Sequence, residues 1–165
     1  MSILEICRWL QETPPGRMVR EGYWGYGIPQ MVHLASMALF GGAVVLDDLR
    51  LLGAIRKPAV SELTSQLIAV KWVGFLLAGV TGALLFMSDA TRFYKNPAFL
   101  IKIGLLLLIA LNAWIFRSVV YKDVKGWDEG VVTPRGAKIV AIVSLFLWIC
   151  VIAASRAIGF TLSDT

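Results

Sequence analysis

MVHLASMALFGGAVVLDDLRLLG, residues 31–53, decides the fold. Residues 31–46 carry no Asp, Glu, Lys or Arg and no strand-like alternation, and Ile28, Pro29 and Gln30 extend the run backwards. A helix needs about 20 mostly apolar residues to cross a bilayer, and backbone polar groups in hydrocarbon must pair within the helix itself. The stretch therefore predicts a transmembrane helix over about 28–46, with acidic residues at its far end. Three further runs of the same kind follow, at about 67–87, 99–116 and 139–158. They are rich in Leu, Ala and Gly, and too few to close a barrel.

Composition agrees with that reading. The chain has 165 residues, 58% of them hydrophobic, and its mean hydropathy is +0.73, well above a water-soluble domain. The expected architecture is all-α: a single membrane domain over 1–165, a transmembrane four-helix bundle in up-down-up-down order, because short links favour antiparallel neighbours. Punctuation fits these spans. Gly53 is placed to stop the first, Pro58 with Ala-Val-Ser-Glu to open the second, Asn96-Pro97 to start the third and Thr133-Pro134 the fourth.

Before the first span, residues 2–12 interleave Ile3, Leu4, Cys7, Trp9 and Leu10 with Glu5, Arg8 and Glu12, which predicts a short amphipathic helix at the interface rather than a secretory signal. Pro14, Pro15 and Gly16 end it, and Trp24 and Tyr26 suit the aromatic belt. Cys7 and Cys150 give no metal or redox spacing; Cys150 is expected to pack as a small hydrophobe.

Basic residues bear on orientation. Loops one and three and the adjoining helix ends carry Arg50, Arg56, Lys57, Lys71, Arg117, Lys122, Lys125, Arg135 and Lys138; the other face carries Arg8, Arg17, Arg20, Arg92, Lys95, Lys102 and Arg156. The excess predicts cytoplasmic loops one and three and termini on the periplasmic side. The net charge of +5 suits anionic headgroups, while no aromatic–basic interleaving points to nucleic acid.

An ionisable group within a span is a candidate site by default, and His33 is the chain's one histidine. Fourteen residues separate it from Asp47, about 21 Å along a helix, so one polar group belongs near each membrane surface. Near the first loop the candidates are Asp47, Asp48, Arg50, Lys71 and Asn112, with an ion pair between Lys71 and the aspartates expected to relieve two desolvation costs. Near the termini they are His33, Met87, Asp89, Lys102 and Arg156, with Asp89 expected to meet Lys102 or Arg156 and leave His33 free. Such a pocket suits an anionic headgroup, a quinone, or the edge of a haem or a copper ion. A hydrogen bond between helices is the plainer role for His33. A two-histidine haem needs a second ligand that one chain lacks, so Met87 or the His33 of another copy would have to supply it. Gly74, Ala78 and Gly82 form a small-residue stripe on span two, expected to serve helix packing.

Trp24 to Tyr26, His33-Leu34, Gly41-Gly42, Asp48-Leu49-Arg50-Leu51-Leu52-Gly53, Ser88-Asp89, Tyr94, Asn96-Pro97-Ala98-Phe99, Lys102, Asn112 and Arg156 occur in an order that resembles a bacterial family of small four-span inner-membrane proteins catalogued as a domain of unknown function. The resemblance spans nearly the whole chain and implies an inner-membrane helical protein without a reaction. A looser resemblance, to the membrane module of copper-resistance D proteins, rests on a span-one His followed by Gly. Two functional classes follow. One is a non-catalytic subunit or anchor of a larger redox or transport assembly, in the bilayer with copies of itself or other subunits. The other is a small redox or ligand-binding protein that uses His33.

Overall fold

The structure is a computed structural model that describes residues 2–124 and 133–163; Lys125, counted above, lies outside them. Helices α1 (Ile3–Glu12), α2 (Pro14–Glu21), α3 (Gly27–Leu52), α4 (Val60–Ser88), α5 (Ala90–Lys95), α6 (Pro97–Ile115) and α7 (Arg135–Ser163) carry the chain, and the described residues contain no strand. A π-helical turn (Phe116–Val120) and a 3-10 turn (Tyr121–Asp123) extend the third span. Among the described residues four helices are long and apolar enough to cross a membrane: 27–52, 60–88, 97–120 and 135–161.

Local chemistry explains the ends. Gly53 adopts φ 83°, the left-handed cap, and its N–H bonds Arg50 O at 3.1 Å while Ala54 N–H bonds Leu49 O at 3.0 Å. Asn96 caps α6: its Oδ1 accepts from the N–H groups of Ala98 (2.9 Å) and Phe99 (3.3 Å), and Pro97 at the first position needs no donor. The Asn96 amide also donates to Thr161 Oγ1 at 2.8 Å, which pins the start of α6 to the end of α7. Ser2 and Glu5 close a capping box on α1.

Packing centres on α3. Its contacts to α4 run in opposite sequence order, His33 to Thr81, Phe40 to Gly74 and Asp47 to Lys71, so the two helices lie antiparallel. Gly41 against Trp148 and Asp48 against Ser144 give α3 and α7 the same relation, and Asn96–Thr161 with Asn112–Val140 give it to α6 and α7. Between α4 and α6 the described residues make no sustained backbone approach; the Phe86 and Phe99 rings, stacked at 5.5 Å, close that seam near the termini. At the opposite end Leu51, Val60, Val124, Ala137 and Ala141 form an apolar plug covered by Phe116, Val120 and Tyr121.

The N-terminal region differs from the sequence reading. Pro14 and Pro15 end α1 but also begin a second helix, because proline fits a first helical turn. Gly16 makes this possible: a Cβ there would come within 3.0 Å of Leu10 O, Gln11 O and Met87 O, so α1, α2 and α4 cross backbone to backbone. Cys7, on α1, is buried at 3% exposure.

Candidate functional site

His33 lies six residues into α3 and turns its ring onto α4. Nδ1 is 3.0 Å from Ala78 O and 3.1 Å from Thr81 Oγ1. A carbonyl only accepts, so Nδ1 carries the proton and, in the neutral ring, Nε2 keeps its lone pair. The Thr81 hydroxyl donates to Leu77 O at 2.6 Å, and Ser36 Oγ donates to the His33 carbonyl at 2.9 Å. Small residues on α4 create the space: a Cβ on Gly82 would sit 3.0 Å from His33 Cε1, and one on Gly74 would sit 2.9 Å from Phe40 N. Gly74, Ala78 and Gly82 thus all lie against α3, and Ala78 supplies the histidine's acceptor.

The other terminal-side candidates do not all converge on that ring. Asp89 accepts from Gln11 Nε2 at 3.1 Å and lies 3.8 Å from Arg92, while Thr91 Oγ1 donates to Gln11 Oε1 at 3.1 Å. The acid therefore fastens α1 to the α4–α5 corner instead of meeting Lys102 or Arg156, because the second N-terminal helix brings Gln11 over it. Its charge, after burial, also holds the Tyr26 phenol above its ordinary value of 10.0. Arg156 is exposed, with its guanidinium 4.7 Å from the Phe160 ring centroid on its own helix. Met87 lies five residues beyond Gly82, about 7.5 Å further along α4, so it is not at the depth of the imidazole; its carbonyl meets Gly16. Lys102 is partly buried on α6, a helix that makes no sustained backbone contact with α3 or α4 among the described residues.

At the other end Lys71 pairs with Asp47, both side chains about a fifth exposed (19% and 18%), and Thr64 Oγ1 stands 3.5 Å from Asp47 Oδ1. Asp48 is 5% exposed and hydrogen-bonded to Ser144, with Oδ2 unpartnered. Arg50 Nε donates to Pro58 O and so ties the first loop to its own helix. Asn112 was expected to join this cluster. Its amide instead donates to Val140 O at 3.1 Å and staples α6 to α7, since α6 reaches α3 only through α7. Trp148 Nε1, also buried and unpartnered, gave no signal in the sequence.

Among the described residues no three His, Cys, Asp or Glu side chains come together as a metal site. The sequence model of a family described as "Family of unknown function (DUF6644)" matches residues 16–161. The chain belongs to that family. No curated protein and no solved structure matches it. The DUF6644 match begins at Gly16, the glycine on which α1, α2 and α4 cross, and takes in all four spans with His33, Lys102 and the Asp47–Lys71 pair.

Proposed function

We propose that this protein is a small polytopic membrane component that acts as a non-catalytic subunit or anchor of a larger redox or transport assembly in the bacterial inner membrane. The outward face of α3 carries this reading. Ala35, Ala38 and Gly42 are exposed and share one helical face, opposite the face that holds His33, Phe40, Asp47 and Leu51. A Cβ on Gly42 would meet nothing within 4 Å. Ala38 and Gly42 are a small-xxx-small pair of the kind that admits the backbone of another helix, as the pairs on α4 admit α3 within the chain. A second copy or a different subunit would seat on the same stripe.

Polar groups in the spans support a structural role. Asp47 with Lys71, His33 with Ala78 and Asn112 with Val140 each join two helices of one chain. The excess of basic residues at loops one and three favours cytoplasmic placement of those loops, with the termini in the periplasm. Gly42→Leu tests the assembly reading, because the added side chain meets open space inside the protomer. Native-gel mass and co-purifying chains from membrane extracts are the readout. The wild-type chain is expected above its monomer mass and the variant at it, with helicity unchanged; a monomeric wild type, or an unaltered assembly in the variant, overturns the reading.

A further inference from the structure

A groove of about 440 Å³ runs along the α6–α7 seam, lined by Ala98, Ile101 and Leu105 on α6 and by Cys150, Ala153 and Ala157 on α7. Alanine and cysteine side chains are too short to close the seam, so an apolar furrow remains. It opens away from the centre of the fold, because Cys150, Ala153 and Ala157 lie on the face of α7 opposite Ser144 and Trp148, which meet α3. Cys150, Ala153, Ala157 and Phe160 succeed one another at spacings of three and four, so Phe160 continues the same face toward the end of the span. The Arg156 guanidinium lies 4.7 Å from the centroid of that ring. A positive charge thus stands at one end of the furrow. Arg156 is exposed and makes no ion pair among the described residues, and Asp89 is held by Gln11 and Arg92. It stands five residues, about 7.5 Å, short of Thr161, where the span ends, so its long side chain reaches the headgroup region. A cation at that depth calls for an anion.

We infer that the α6–α7 groove binds an anionic phospholipid, with one acyl chain along the furrow and the head-group phosphate accepting from Arg156. Size selects this occupant over a helix. Spread over the about 10.5 Å of axis from Cys150 to Ala157, the groove is about 40 Å² in section, against about 80 Å² for even a 10 Å helix. An extended hydrocarbon chain enters it; a helix would only rest on its rim. Charge selects the head group. An anionic lipid supplies the missing counter-charge, whereas a zwitterionic one brings its own cation to Arg156, and the chain's net charge of +5 acts in the same direction. Cys150 serves here as a small apolar wall. The site lies on α6 and α7 and does not rest on the assembly at the outward face of α3.

The test is native mass spectrometry of the delipidated full chain, titrated with dioleoylphosphatidylglycerol against dioleoylphosphatidylcholine. Wild type is expected to prefer the anionic lipid, and Arg156→Gln to lose about fivefold of that preference while Arg156→Lys keeps it. Ala153→Phe fills the furrow from an exposed position and is expected to weaken both lipids about threefold at unchanged thermal stability and oligomeric mass. A phosphatidylglycerol with a diazirine in its acyl chain is expected to label Ile101, Leu105 or Cys150 in wild type and to lose that labelling in Ala153→Phe. Glycerol 3-phosphate in solution is expected not to displace the lipid. Equal affinity for the two lipids in wild type, full preference in Arg156→Gln, wild-type binding in Ala153→Phe, labelling confined to other residues, or displacement by the soluble phosphate would each overturn the assignment. A fall in oligomeric mass in Ala153→Phe would give the groove to a protein chain and overturn it as well.

Discussion

Removing one half of the Asp47–Lys71 pair is predicted to cost far more than removing both halves. With side chains 18% and 19% exposed, the two charges are largely out of water, so each depends on the other for its stabilisation. Lys71→Met leaves Asp47 with only the distant Thr64 hydroxyl and is expected to destabilise the bundle by about 3 kcal/mol, the lower end of the range for a broken buried pair. Asp47→Asn strands Lys71 and is expected to cost about 2 kcal/mol. The double variant exchanges a desolvated pair for a neutral one and is expected within about 1 kcal/mol of wild type, a coupling of about 4 kcal/mol. Equilibrium unfolding of the full chain in mixed micelles by added sodium dodecyl sulfate, followed through its 6 tryptophans, gives all three values. A Lys71→Met loss below about 0.5 kcal/mol, or additive single changes, would refute the reasoning.

The α3–α4 seam offers a paired comparison: Gly74→Ala pushes its new methyl to 2.9 Å from Phe40 N and is expected to cost about 1–3 kcal/mol, while Gly79→Ala meets nothing within 4 Å and is expected to be neutral or slightly stabilising in the same assay. Asn112→Leu removes the bond to Val140 O and is expected to cost about 0.6 kcal/mol, up to about 1.7, read from the same unfolding curves. Tyr26 gives a pH test. Its phenol is held above 10.0, so its contribution to stability is full below that value and falls as pH rises through the folded pKa; Asp89→Asn is expected to lower the folded pKa, followed by absorbance of the phenolate.

Much of the fold was legible because the bilayer imposes one rule on every span. Helix length, the Gly53 stop and the Asn96-Pro97 start follow from that rule and from cap chemistry. The stretches α2 and α5 were not read, since short interfacial helices carry no spanning signal; Thr13 followed by two prolines was the available sign of α2. At the site, depth along a helix placed Lys71 with Asp47. It failed for Asp89 and Asn112, because depth says nothing about which neighbour a helix faces. Asp89 went to Gln11 and Asn112 to α7. The tautomer of His33 depends on a main-chain carbonyl of another helix, which no side-chain pattern encodes.

The central claim is that the small-residue face of α3 seats another protein chain. A photo-crosslinking side chain installed at Ala38, which is exposed on that face, tests it most directly in native membranes. A discrete protein adduct is expected, with the same label at Leu107, exposed on α6, giving none. Lipid adducts alone at Ala38, with the protein running as a monomer, would contradict it.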